Sequence, residues 1–313
     1  MRVLGMSMGR VNGNSELLLK HALKAVQEEG HEVSFVRLHD YKIKPCVGCE
    51  LCTMYLSRGE EPRCKYGWEE DDIKFLMDQV KASQALILAA PAYHLMPPGI
   101  GTVLLNRIHS CGCDNHTGRR QEDDVSKRKI CATIGVGGSD WCSLLMPILN
   151  FTATELIGSQ MNLVDQMSIH GCPSISMVAL LQEALDRATQ LGKNVAAELN
   201  GDSAAYYHGT ADETCSICHT NILLIQDGRV RCPICDVAGD LVIKDGKIDH
   251  IAWDGGIESS RWSKFGVQRH DDVQTSTVKL KPGKYVYTDE QKQKIAHTVA
   301  KWKNYLPPVQ PSR

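Results

Sequence analysis

Cys46, Cys49, Cys52 and Cys64 form a C-x2-C-x2-C-x11-C run within 313 residues. Three cysteines at two-residue gaps can converge on one centre, and such a triplet is a familiar start for a 4Fe-4S cluster. A second quartet, Cys215, Cys218, Cys232 and Cys235, has the paired spacing of a zinc ribbon or a rubredoxin-like iron site. Its two knuckles flank an Asp227-Gly228 turn, so a hairpin can fold them onto one tetrahedral ion, with zinc favoured and a single iron as the alternative. Cys131, Cys142 and Cys172 lie beside apolar stretches and read as buried hydrophobes.

A third constellation is GMSMGRVNGNS, Gly5 to Ser15, between an apolar run and an amphipathic one. Glycines allow a tight turn whose amides face an anion, and Asn14 and Ser15 can add side-chain donors. Arg10 adds a full positive charge and the following helix a partial one. The loop has neither the G-x-G-x-x-G of a dinucleotide fold nor the Gly-Lys-Ser/Thr of a nucleotidase loop. An ordinary Gly-rich turn is the competing reading.

The elements that must position these residues alternate. Strands are expected at 2–7, 32–38, 84–90, 129–136 and 162–168, with helices at 15–29, 71–81, 99–108 and 176–199. The cysteine run falls in a polar loop, and Asp71-Asp72 should open the next helix, where carboxylates suit the positive end. Residues 110–128, with Cys111 and Cys113, form a polar excursion too charged for core. Such alternation implies an α/β fold with a parallel sheet and ligands at the carboxyl ends of its strands. After a linker at 201–214 the chain turns to short strands, with a second Asp-Gly hairpin at Asp245-Gly246. A capping box at Thr288 and Gln291 opens a terminal helix. Two domains follow, 1–200 with a cysteine loop at 41–70, and 215–313.

Lys plus Arg (35) nearly balance Asp plus Glu (37), and the basic residues after Cys215 are scattered, so no nucleic-acid partner is expected. Thirteen cysteines without a leader-like N-terminus fit metal ligation better than disulfides. No apolar run approaches the roughly 20 residues of a membrane span, so a cytoplasmic protein is expected.

The Gly-rich loop resembles that of the flavodoxin-like NAD(P)H-dependent FMN reductases, whose pattern is Ser-x-Arg-x-x-Gly-Asn-Ser/Thr. Arg10, Gly13, Asn14 and Ser15 match; Met8 stands where the pattern has serine, and Ser7 is one position earlier. Pro91-Ala92-Tyr93-His94 matches the family's Pro-x-Tyr segment beside the isoalloxazine, and Gly137-Gly138 falls where a third flavin loop belongs. Between the second strand and Asp71-Asp72, the cysteine run is similar to that of the family's iron-sulfur flavoprotein branch, though the gap to Cys64 is longer than its pattern. Cys111 or Cys113 is the alternative fourth ligand. Zinc in the same cage, or unligated cysteines, are the other readings.

The resemblance covers roughly residues 1–200. It implies a doubly wound five-stranded parallel sheet, FMN on the three loops and a 4Fe-4S cluster on Cys46, Cys49, Cys52 and Cys64. It also implies NAD(P)H or a ferredoxin as donor, quinone-like or protein acceptors, and assembly as dimers or tetramers. Tyr93 and His94 are the candidates for catalytic roles. The rivals are a reductase of quinones or free FMN with zinc alone, a reductase of an organic substrate whose C-terminal strands cover the flavin, and a non-catalytic redox sensor.

Overall fold

The computed structural model describes residues 1–58, 60–111, 129–157, 162–202, 207–209, 214–263, 265–266, 268–269, 279–281, 284–303 and 305. Five parallel strands form the main sheet: β1 (Arg2–Ser7), β2 (Glu32–Arg37), β3 (Ala85–Pro91), β4 (Ile130–Val136) and β5 (Asn162–Ile169). Their order, β2-β1-β3-β4-β5, is the flavodoxin-like doubly wound arrangement expected from the sequence. β4 is buried along its whole length, and β3 at every residue before Pro91, because helices cover both faces.

Alternation along the strands sorts side chains into two cores. Val3, Ile87, Ala132 and Ile134 face α1 (Asn14–Glu28) and α6 (Gln182–Asn200). Leu4, Met6, Leu86 and Leu88 face the other side, with residues of α3 (Ile73–Ala82), α4 (Gly99–Leu105) and α5 (Leu145–Ile157). α1 and α6 meet so closely that a Cβ on Gly192 would lie 2.2 Å from the Ala22 carbonyl oxygen. That contact explains a glycine inside a helix.

Several expectations change. α5 is not foreseen from the sequence: it is apolar nearly all round, so it has little amphipathic signature. The cysteine loop is not wholly irregular, since α2 (Leu51–Ser57) starts inside it. α6 begins at Gln182, not near Ser176, because Ser176 adopts φ 58° and a 3-10 turn at Met177–Leu180 intervenes. Ser110 and Cys111 are buried, contrary to the polar excursion assigned there, and residues 112–128, including Cys113, lie outside the described residues. Asp72 does not cap α3 with its side chain. It accepts instead from Lys42 N at 2.8 Å, pinning the incoming loop.

The C-terminal region carries an antiparallel sheet, β6 (Leu224–Gln226), β7 (Arg229–Arg231), β8 (Ala238–Lys244) and β9 (Lys247–Trp253). Both Asp-Gly turns have positive φ at both residues (Asp227 54°, Gly228 77°; Asp245 52°, Gly246 74°), the backbone that matches strand twist in tight hairpins. A short hairpin, β10 (Lys279–Lys281) and β11 (Lys284–Val286), precedes α7 (Asp289–Trp302). The expected capping box holds: Gln291 N donates to Thr288 Oγ1 at 3.2 Å and Thr288 N to Gln291 Oε1 at 2.8 Å.

Part of the expected linker is structural. Tyr207 stacks on His219 with ring centroids 3.6 Å apart. Gln166 of β5 donates to Tyr207 OH at 2.6 Å and to the His219 carbonyl at 3.1 Å. Among the described residues no helix is long and apolar enough to cross a membrane.

Candidate functional site

Three loops leave the carboxyl ends of β1, β3 and β4, where a sheet of this order opens a crevice. In the first, Gly9 N donates to Ser7 Oγ at 3.1 Å and Gly13 N to the Arg10 carbonyl at 3.0 Å. The chain curls tightly back to α1. No side chain caps that helix, so its first amides point into the curl. Ser15 Oγ is buried and, among the described residues, has no protein partner. A Cβ on Gly9 would come within 2.6 Å of that oxygen. An uncapped helix start, an unpartnered buried hydroxyl and a bare-backbone cradle fit a phosphate. Arg10 is exposed at the rim.

Asn14, expected from its residue type to add a side-chain donor to the loop, is engaged elsewhere. Its amide donates to the Cys172 and Ser174 carbonyls at 3.0 and 2.8 Å, and its Oδ1 accepts from Val178 N at 3.0 Å. It ties the first loop to the segment after β5. Met8, at the position where serine was expected, is fully buried and turned into the core against Gly101 of α4, where a Cβ would meet Met8 Cε at 2.6 Å. Ser7 is also fully buried, shaping the loop from beneath.

The second loop is a two-residue turn between Tyr93 and Met96, closed by Tyr93 N to the Met96 carbonyl at 2.7 Å. His94 and Leu95 at its tip hold φ 50° and 73°. Leucine rarely adopts such backbone, and the cost is tolerated mainly where a loop serves a site. Ala92 N donates to the Val136 carbonyl at 2.8 Å, and Leu144 N to the Leu95 carbonyl at 3.1 Å, so loops two and three are joined. In the third, Gly137 leaves no room for a side chain, since a Cβ would lie 2.7 Å from the Ser139 carbonyl oxygen. Gly138 is exposed. Tyr93, Met96 and Trp141 (76% exposed) give the mouth an apolar rim.

Two supports were not read from the sequence. Buried Glu16, in the first turn of α1, accepts from Arg37 at 2.6 and 3.0 Å and from Lys20 at 2.7 Å. Burial opposes its charge, but the hydrogen bonds from Arg37 and Lys20 prevail and hold the carboxyl at about 2. His39 Nε2 lies 3.0 Å from the Met8 carbonyl oxygen, bridging the loops after β1 and β2. A glutamate at the start of a helix reads as an exposed dipole partner, so only the fold exposes its role.

The structure brings Cys215, Cys218, Cys232 and Cys235 together, with all sulfurs within 4.8 Å of one another and all four buried. Hydrogen bonding with Cys215 and Cys232 pushes the Cys218 and Cys235 thiols well up. Four convergent sulfurs fit a single tetrahedral ion. Among the described residues no other set of three or more ligand atoms is this close. Cys46 and Cys49 are exposed, Cys52 and Cys64 half-buried on the same loop. A cubane cluster holds its cysteine sulfurs farther apart than one ion does, and a four-thiolate donor set on one loop suits it. Burial raises the thiol pKa of Cys131, Cys142 and Cys172, in keeping with their reading as hydrophobes.

Residues 1–153 match the NADPH-dependent FMN reductase family. A flavone synthase, cfoJ of Aspergillus candidus, is 26% identical over 294 residues, covering 86% of this chain and 87% of that one. An iron-sulfur flavoprotein of Methanocaldococcus jannaschii is 36% identical over 94 residues, which are 30% of this chain and 44% of the relative. The solved structure of a flavone reductase aligns over 100% of both chains with a TM-score of 0.71 at 20% identity, so the fold is shared throughout. The match to the FMN reductase model and the likeness to a flavone synthase support a flavin-dependent oxidoreductase. Residues 1–153 are thus similar to the NADPH-dependent FMN reductases, and iron-sulfur flavoproteins are among the relatives of this chain.

Proposed function

We propose that this chain takes reducing equivalents from NAD(P)H onto FMN and passes them to a planar conjugated organic acceptor. In this reading a 4Fe-4S cluster on Cys46, Cys49, Cys52 and Cys64 serves as one-electron relay, and the C-terminal quartet holds structural zinc. The carrying observation is what the loops after β1, β3 and β4 present at one end of the sheet. A phosphate-shaped cradle at Ser15 and the start of α1 lies at the same sheet end as an apolar rim of Tyr93, Met96 and Trp141.

Bound FMN would supply hydride acceptance and single-electron release. The chain's own residues supply the rest. The α1 amides and Ser15 Oγ hold the phosphate, with Arg10 adding charge at the mouth. Tyr93 offers a flat apolar face, while Gly137 and Gly138 let backbone approach the ring closely. Met96 and Trp141 shield the crevice from water. His94, exposed at the turn tip, is the nearest candidate to move a proton to the acceptor. A planar aromatic substrate is supported by a relative whose likeness extends along nearly the whole chain, a flavone synthase by name.

A second reading has its own observation. Only the C-terminal sulfurs crowd together among the described residues, while Cys46 and Cys49 are exposed, which favours a reductase with zinc alone. Anaerobic purification followed by iron, zinc, sulfide and flavin counts separates the two. One FMN with about four iron and four sulfide per chain supports the relay. FMN with zinc and no sulfide leaves the simpler reductase, and no flavin sinks both. Bleaching of the flavin by NADPH, NADH or reduced ferredoxin then names the donor, and reoxidation by flavones against quinones tests the acceptor.

A further inference from the structure

The cysteine loop closes on one buried cation. Arg107, two residues past the end of α4, is 3% exposed. Its Nη1 donates to the Lys44 carbonyl at 3.1 Å and to the Asp71 carboxylate, and its Nη2 donates to Cys64 Sγ at 3.1 Å. Asp71 also accepts from Lys44 N at 3.2 Å. The Tyr66 ring lies 5.3 Å from the guanidinium carbon. A single side chain thus grips the residue just before Pro45-Cys46 and the last cysteine of the run.

Burying a guanidinium is costly unless its donors meet good acceptors. Asp71 balances the charge, yet one arm of the fork is given to a sulfur. A neutral thiol is a weak acceptor, so that arm is well used only where the sulfur carries negative charge, as a metal-bound thiolate does. Cys111, the alternative fourth ligand, is part of the apolar core beneath, and its carbonyl is taken by Lys81. α4 starts just after the turn at Tyr93 to Met96 and is seven residues long, about 10 Å at 1.5 Å per residue. Arg107 therefore sits one short helix from the flavin loop.

We propose that Arg107 is a positioning residue that assigns Cys64, not Cys111, as the fourth thiolate of the N-terminal cluster and raises that cluster's reduction potential. This rests on the relay reading above. Reduction adds one electron, supplied by the reduced flavin, with no bond made or broken in the protein. A cation hydrogen-bonded to a ligand sulfur favours the more negative state, which shifts the potential upward.

The test uses the full chain, purified anaerobically, with iron, sulfide and FMN per chain and the cluster midpoint potential as readouts. Cys64→Ser should lose cluster iron while Cys111→Ser keeps it; the reverse overturns the assignment. Arg107→Gln combined with Asp71→Asn removes both charges, so neither is left buried alone. That double variant should keep FMN and cluster with a lower potential, and Arg107→Lys should recover most of the shift. An unmoved potential with cluster and FMN intact overturns the proposal. If the double variant fails to fold, Arg107→Leu against Arg107→Lys decides by the same measurement, equal potentials counting against it. Wild-type protein with FMN but no sulfide overturns the relay reading and this assignment together, an outcome distinct from an unmoved potential.

Discussion

Among the described residues, Ser15 ends in an oxygen with no hydrogen-bond partner, at the start of a helix without a side-chain cap. A hydrogen bond to a charged group contributes about 2 kcal/mol, so Ser15→Ala should weaken FMN binding roughly thirtyfold, with stability of the apo-protein little changed. Fluorescence titration of apo-protein with FMN checks it, and equal affinity would remove Ser15 from the phosphate site. Leu95 makes the opposite trade. Its φ of 73° costs of order 1 kcal/mol, which Leu95→Gly should return as a higher Tm. The loosened, less apolar turn should lower turnover with organic acceptors. A variant that is both more stable and fully active would show the strain to be idle.

Between elements, the Glu16–Arg37 pair clamps the start of α1 to the end of β2, next to the proposed phosphate cradle. The Glu16 carboxyl sits at about 2 when folded against an ordinary 4.5, so its contribution is fully present above pH 4.5 and fades as pH falls towards 2. Arg37→Met should leave a buried carboxylate with Lys20 alone, costing about 3 kcal/mol at neutral pH. Its stability should also lose the acid dependence between pH 4.5 and 2 that the wild type shows. Urea melts at pH 7, 4 and 3 test both parts, and parallel curves for the two proteins would refute the clamp.

On the scale of the molecule, the C-terminal quartet is not a bead on a tether. Its four cysteines belong to the same apolar cluster as Leu145, Leu149 and Ala153 of α5. A chain of hydrogen bonds runs from Thr133 of β4 through Asn150 and Gln166 to Tyr207, at 2.7, 2.8 and 2.6 Å. His219, next to Cys218, is buried with both ring nitrogens unpartnered among the described residues, and burial lowers its pKa to about 4, so it is neutral at pH 7. Chelating the quartet's metal should therefore strip hydrogen-exchange protection first from β6 to β9 and then from α5 and β5. Protection in α5 and β5 that survives chelation would mark the module as independent.

Much of this protein was legible in local pattern. Continuous apolar runs gave the buried strands, Asp-Gly pairs gave the hairpins, and Thr288 with Gln291 gave the terminal cap, because each is fixed by backbone sterics within a few residues. The paired spacing of Cys215 to Cys235 was equally local, since two knuckles and one hairpin can fold in only a few ways. The apolar helix α5 was hidden because a segment buried all round has no periodic face. Asn14 reads as a phosphate donor in isolation, yet it is spent on carbonyls 158 and 160 residues away. Arg107 and Asp71 look like surface charges in the sequence, and only the packing of α4 against the cysteine loop buries them as a pair at Cys64. Sequence alone determined which residues can do chemistry, because spacing and residue type are local properties. Tertiary structure decided which of them meet, because burial and long-range partners depend on where the sheet brings distant loops together.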